Sequence, residues 1–132
     1  MGKVIEITLA DNLRCQTIGA GEVRYMVDEG TVRGVGPAID DVQVRWATIG
    51  SSAQFQWRVD GEYSNDGGET WDAMGSIMSD QTTDGQGNTS AYSTRTDFGT
   101  DVRFFIVVSN TSGGGVESGT LRRVTVAIRL AP

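Results

Sequence analysis

The sequence predicts an all-β protein, an antiparallel β-sandwich of about seven to nine strands with an immunoglobulin-like or a jelly-roll topology. Several short segments alternate apolar and polar residues with a period of two, which is typical of half-buried strands. Turn-forming residues recur about every eight to twelve positions, as they do in sandwiches. No segment sustains the period of a helix, so there is no crossover element for a parallel sheet.

The composition indicates a single domain, residues 1–132, that is long enough to bury its own core. The net charge of −6 disfavours nucleic acid as a partner, because such binding depends on basic residues that neutralise phosphates. No apolar run approaches the roughly 20 residues that span a bilayer, so a membrane partner is not expected either. The chain has no histidine, and therefore lacks the usual general base and metal ligand.

The first residues, MGKVIEITL, contain one basic residue and a strand-like alternation rather than the apolar stretch of a signal peptide. We therefore expect a chain that is made and kept in the cytoplasm, and that is found in the virion if it is an assembly protein. The single cysteine, Cys15, has no partner for an internal disulfide. It is expected to be a small buried apolar group rather than a nucleophile.

In the first half of the chain, Asp11-Asn12 is predicted to form a turn, and residues 28–41 a long loop with at most a short strand, because they hold three glycines and a proline. A further strand places Phe55, Trp57 and Val59 on one face. The other strands predicted in this half are residues 3–9, 13–18, 22–27 and 42–48.

In the second half, residues 72–88 are predicted to be a long exposed loop, and residues 89–96 a polar edge strand. Residues 102–108 form a strand that is apolar on both faces, which is expected at the centre of a sheet or at a subunit contact. The last and longest strand ends with residues 121–130, where apolar and polar residues alternate.

Residues 64–71 read Ser-Asn-Asp-Gly-Gly-Glu-Thr-Trp, and this segment resembles the Asp-box, S-x-D-x-G-x-T-W, of β-hairpins in sialidases and other β-proteins. The resemblance implies a structural clasp rather than a catalytic centre: an acid that caps backbone N–H groups, a glycine with positive φ and a tryptophan that folds back. A sialidase would also need repeated boxes and a longer chain. All five motif positions match: Ser64, Asp66, Gly68, Thr70 and Trp71.

The order of features over residues 53–130 resembles that of discoidin-like carbohydrate-binding sandwiches: a strand, the SNDGGETW turn, a polar loop and two final strands. The paired cysteines of many members are missing. This resemblance implies a sandwich that binds a glycan through the loops around Trp71, and it supplies the alternative function, a carbohydrate-binding module.

Carboxylates in the same region are candidates for a non-standard calcium site, namely Asp60, Glu62 and Asp66. An EF-hand loop is excluded, because Asn65 stands where that loop needs glycine and Trp71 where it needs a bidentate glutamate. The pattern favours acids that are simply solvated, and no cofactor is expected.

The sequence thus predicts a protein that is not an enzyme but a structural or assembly component, most concretely a capsid decoration or minor coat protein of a bacteriophage virion. Its expected partners are other protein subunits, in a homo-oligomer or a capsid lattice. Strands 102–108 and 121–130 would present apolar surface to these neighbours, and the polar loop 79–90 would become ordered on assembly.

Overall fold

In the computed structural model, the described residues are 3–17, 19, 21–51, 55–77, 86–92, 99–110 and 116–131. They form nine strands in two antiparallel sheets, which confirms the predicted β-sandwich. The helical turns of this part of the chain are two short 3₁₀ turns, Asp28–Gly30 and Gly36–Ala38. No helix among these residues is long and apolar enough to cross a membrane.

One sheet has the strand order β1-β9-β4-β7, and the other has the order β2-β8-β5-β6, with the two-residue strand β3 also paired to β8. The strands are β1 (Val4–Gln16), β2 (Val23–Tyr25), β3 (Thr31–Val32), β4 (Ile39–Ser51), β5 (Phe55–Ser64), β6 (Asp72–Ser76), β7 (Gln86–Tyr92), β8 (Asp101–Asn110) and β9 (Ser118–Leu130).

The strand pairing is that of a jelly roll. When the short β3 is left out, the first strand pairs with the last (β1 with β9) and the second with the last but one (β2 with β8). The third and sixth pair next (β4 with β7), and the fourth and fifth form the innermost hairpin (β5 with β6). A long antiparallel hairpin that folds over into two sheets produces this nested order. Of the two predicted topologies, the structure has the jelly roll.

The core lies between the two sheets. In β5 the side chains of Phe55, Trp57 and Val59 are buried, as their alternation predicts. Gly61 continues this row, and a Cβ atom there would lie only 2.6 Å from the sulfur of Met74. Further buried apolar side chains come from β1, β4, β8 and β9: Leu9, Val42, Val44, Phe104, Ile106, Val124, Val126 and Ile128.

The predicted turn at Asp11-Asn12 is wrong, because β1 runs through it without ending. The pairing of β1 with β9 shifts register between Thr8 and Ala10 and then continues to Gln16. Asn12 has a φ of +52°, a left-handed conformation that asparagine tolerates better than most residues. The turn-forming residues therefore mark an irregularity within one long edge strand.

The prediction of an exposed loop over residues 72–88 is also wrong in part. Residues 72–76 form β6, and the side chains of Met74 and Ile77 are buried in the core. Strand β7 starts at Gln86, earlier than the predicted edge strand 89–96, and it lies at the edge of its sheet as predicted. Within the predicted loop 79–90, residues 86–90 therefore belong to a strand, and residues 79–85 lie outside the described residues. Residues 93–96 of the predicted edge strand also lie outside them.

The thiol of Cys15 is buried, as predicted, in the β1 strand. Burial raises the pKa of this thiol to about 12, because the thiolate would lose its hydration. A thiol with such a pKa is protonated at neutral pH, which agrees with a packing role.

Candidate functional site

The turn between β5 and β6 brings together the residues of the predicted clasp. The Ser64 side chain is buried at the base of the turn. Its hydroxyl accepts hydrogen bonds from the backbone N–H groups of Asp66 at 3.3 Å and Gly68 at 2.9 Å, and donates to Asp66 Oδ1 at 2.7 Å. Gly67 and Gly68 have φ values of +77° and +97°, which residues with a Cβ rarely adopt. One hydroxyl thus organises the first half of the turn.

The Asp66 carboxylate organises the second half. Its Oδ1 accepts a hydrogen bond from the Thr70 backbone N–H at 2.9 Å, and its Oδ2 accepts one from the Thr70 hydroxyl. These bonds favour the ionised carboxylate, the bond from the Thr70 hydroxyl most of all, and they hold the pKa of Asp66 well below its usual range. The carboxylate is therefore engaged in capping the turn.

Trp71 folds back against this turn. A Cβ atom on Gly68 would lie 3.4 Å from the Trp71 ring, so the ring packs where glycine leaves room. The guanidinium of Arg103 lies 4.2 Å from the ring centre and is held there by Glu62, whose Oε1 accepts a bond from Arg103 Nη2 at 2.6 Å. One face of the indole is thus covered by a cation from β8, an arrangement that stabilises the hairpin.

Arg33 connects the same turn to the start of β8. Its Nη1 lies 3.0 Å from Asp101 Oδ2 and also donates to the backbone carbonyl of Gly67 at 3.1 Å. Asp101 is buried, and its Oδ1 accepts a bond from the Gly34 backbone N–H at 3.0 Å. The buried carboxylate of Asp101 thus has one charged and one neutral hydrogen-bond donor. We interpret it as part of a structural ion pair rather than as a reactive group.

The structure does not bring the three calcium candidates together into one site. Asp60 forms an ion pair with Arg58 at 2.9 Å, Glu62 pairs with Arg103, and Asp66 is engaged in the turn. Among the described residues, no group of three or more His, Cys, Asp or Glu side chains is placed to hold a metal ion.

The outer face of the β2-β8-β5 sheet corrects the expectation that strand 102–108 presents apolar surface. The outward side chains of Phe105 and Val107 are only 1% and 2% exposed within a single chain. Arginines from the neighbouring strands cover them: Arg24 and Arg58 flank Val107 in the strand register, and the Arg24 guanidinium lies 4.6 Å from the centre of the Phe105 ring. The apolar pair is therefore buried under a layer of long basic side chains.

Acidic residues hold these arginines in place. Arg58 lies 2.8 Å from Glu22 and 2.9 Å from Asp60, and Arg24 lies 3.4 Å from Glu62. The hydrogen bond to Asp60 is the main cause that raises the pKa of Arg58 above its ordinary value, so the layer stays charged. Two arginines and three acids thus cover this part of the sheet face within a single chain.

Strand 121–130 does not present apolar surface either, and this expectation is also corrected. Its large apolar side chains Leu121, Val124, Val126 and Ile128 lie buried in the core, and Leu130 is partly buried against it. Its outward row consists of small and basic side chains, in which Arg123 and Arg129 are exposed. The outward row of β9 is therefore polar and basic.

Exposed apolar surface occurs instead next to β1, the edge strand of that sheet. The four residues after β2, which we call the Met26–Glu29 segment, are all exposed and read Met-Val-Asp-Glu. Met26 is 46% and Val27 is 36% exposed. A groove of about 250 Å³ separates this segment from β1, and Leu9, Leu13 and Tyr25 contribute to its lining.

The part of the chain that the structure describes has four exposed large apolar side chains. Met26 and Val27 are adjacent in the sequence, whereas Val4 and Val116 each have no exposed large apolar neighbour. Adjacent exposed apolar residues beside a groove are typical of a protein contact. The sequence contained a signal for this surface: the alternation of β2 ends in two consecutive apolar residues followed by two acids. The exposed surface at Met26 and Val27 was not predicted, because residues 22–27 were interpreted as one continuous strand.

No protein-family model matches this sequence, and no curated protein matches it. The chain is similar in structure to a chain of the infectious bursal disease virus Gx strain, with a TM-score of 0.70, 14% identity, and coverage of 99% of this chain and 32% of that one. It is also similar to the VP2 subviral particle of infectious bursal disease virus, with a TM-score of 0.71, 16% identity, and coverage of 98% and 32%.

The chain therefore spans about a third of the length of these viral chains. At this low identity, the likeness establishes a shared fold. The xylan-binding module CBM15 is less similar, with a TM-score of 0.44 and 13% identity over the full length of both chains, and that likeness is too low to bear on function.

Proposed function

We propose that this protein is a non-enzymatic structural subunit that works through protein–protein contacts, specifically a virion component such as a capsid decoration or minor coat protein of a bacteriophage. The observation that carries the proposal is the jelly roll over nearly the whole chain, shared at a TM-score of 0.71 with VP2, a protein that forms a subviral particle. The partners would be further protein subunits.

The Met26–Glu29 segment supports this proposal from the residues themselves. It places two exposed apolar and two exposed acidic side chains beside a groove, whereas the apolar outer face of β8 is already covered within the chain. Contact surfaces of subunits combine an apolar centre with a polar rim. The rival function, glycan binding, has less support because Arg103 covers one face of Trp71, the aromatic ring that would receive a sugar.

The proposal is tested by measuring the molar mass of the purified chain with multi-angle light scattering over a range of concentrations. We expect the mass to rise above that of the monomer as the concentration increases. A constant monomer mass up to millimolar concentration would contradict an assembly function that the chain performs with copies of itself.

A further inference from the structure

The outer face of the β1-β9-β4 sheet contains two arginines that share one depression. In the register of β4 and β9, Arg45 lies opposite Thr125, and Ala47 lies opposite Arg123. The two arginines are therefore diagonal neighbours, close enough for long side chains to meet. Both are exposed, and they line a depression of about 250 Å³ together with Thr125, Ala47, Trp46 and Glu6.

These two arginines differ from most others in the fold. Five arginines have a carboxylate oxygen within 3.4 Å, namely Arg24, Arg33, Arg58, Arg103 and Arg129. Within the described ranges, neither Arg45 nor Arg123 has an ion pair. Glu6 supplies one negative charge to the lining, which leaves one positive charge in excess. A guanidinium pair without a partner is suited to receive a carboxylate from another molecule.

The chain itself carries a matching group. The Met26–Glu29 segment presents the carboxylates of Asp28 and Glu29, both exposed, directly after two exposed apolar side chains. Neither acid forms an ion pair with Arg45 or Arg123 of the same molecule in the described part of the chain. The segment connects β2 to β3 of the other sheet and lies beside β1, and its groove shares no lining residue with the depression between Arg45 and Arg123. The two surfaces are therefore separate on one chain and are free to join two chains.

We propose that the depression between Arg45 and Arg123 receives the Met26–Glu29 segment of a second copy of this chain. This inference rests on the proposed function and identifies the contact through which two copies of the chain would assemble. The carboxylates of Asp28 and Glu29 pair with the guanidiniums, and Met26 and Val27 cover the small side chains around Ala47. Two different surfaces meet, so a contact made once between two chains is head-to-tail, and repeating it builds a ring or an extended array. A two-fold dimer forms where both contacts are made reciprocally.

The test uses two charge-reversed variants of the full chain, R45E/R123E and D28R/E29R. Each variant alone is expected to remain monomeric in sedimentation velocity at a concentration where the unmodified chain assembles. An equimolar mixture of the two is expected to assemble again, because every contact between unlike variants has opposite charges. The control K3E/R14E makes the same change in net charge as R45E/R123E, at two exposed basic residues elsewhere, and is expected to assemble normally.

The outcomes separate the two proposals. The contact named here is wrong, and the assembly function stands, if the unmodified chain and the charge-reversed variants assemble equally well. The same conclusion follows if the unmodified chain assembles but the mixture does not, while both variants retain the circular dichroism spectrum of the unmodified chain. If the unmodified chain is monomeric at every concentration, assembly of the chain with copies of itself is wrong, and the contact fails with it.

Discussion

The guanidinium of Arg24 lies 4.6 Å from the centre of the Phe105 ring and covers it on the outside of the sandwich. Phe105 points away from the core between the sheets, yet it is only 1% exposed. A single chain thus buries apolar side chains on both faces of β8, one face against the opposite sheet and the other under ion-paired arginines. Apolar residues on an outer sheet face do not by themselves indicate an interface.

This burial predicts a large effect of Phe105→Ala on stability. Truncating a buried phenylalanine costs about 3–5 kcal/mol in the free energy of unfolding. Val116→Ala is the matched control, because Val116 is exposed, and its expected effect is within about 0.5 kcal/mol. Urea unfolding followed by fluorescence measures both. Equal, small effects of the two substitutions would show that Phe105 is not covered in solution.

The contacts of Trp71 predict that Trp71→Ala destabilises the protein. The substitution removes the stack with Arg103 and the packing against Gly68, and we expect a loss of about 2 kcal/mol in the free energy of unfolding. Glu69→Ala, at an exposed position of the same turn, is the control and should have little effect. If Trp71→Ala leaves stability unchanged but abolishes binding on a glycan array, the carbohydrate-binding alternative replaces the clasp.

The lowered pKa of Asp66 predicts a pH dependence. A carboxylate whose pKa is lower in the folded than in the unfolded state stabilises the fold at every pH above its unfolded value of about 3.9, and this contribution is lost as the pH falls below that value. Wild-type protein should therefore be more stable than Asp66→Asn at pH 7, and the difference should shrink between pH 4 and pH 2.

Thermal unfolding of the two proteins at several pH values measures this difference. Glu69→Gln serves as the control, since its carboxylate accepts no side-chain hydrogen bond in the described part of the turn. A difference between wild type and Asp66→Asn that stays constant down to pH 2 would show that the ionised carboxylate does not hold the turn.

Much of the fold follows from local patterns. The alternation in β5 places Phe55, Trp57 and Val59 in the core, because a two-residue period has one orientation that buries its apolar face. Strand β6 did not follow from the pattern, since Met74 is the one residue of that strand with a buried side chain among those the structure describes. The continuation of β1 through Asp11-Asn12 was missed because turn-forming residues occur both in turns and at irregular positions within strands.

The surfaces were harder to predict than the strands, because residues that are far apart in the sequence meet on them. The covering of Phe105 and Val107 depends on Arg24 and Arg58, which lie far from residue 105 in the chain and become neighbours only through the strand order β2-β8-β5. The residues of the turn between β5 and β6, in contrast, lie within eight positions of one another, so a local pattern places them in one turn.

The central claim is that the chain assembles through the Met26–Glu29 segment, and sedimentation velocity of M26S/V27S against the unmodified chain tests it most directly. V116S, at an exposed valine that does not line the groove, is the control. The account predicts that the unmodified chain and V116S sediment as larger species at high concentration, while M26S/V27S sediments as a monomer. Assembly of M26S/V27S to the same size and at the same concentration as the unmodified chain would contradict it.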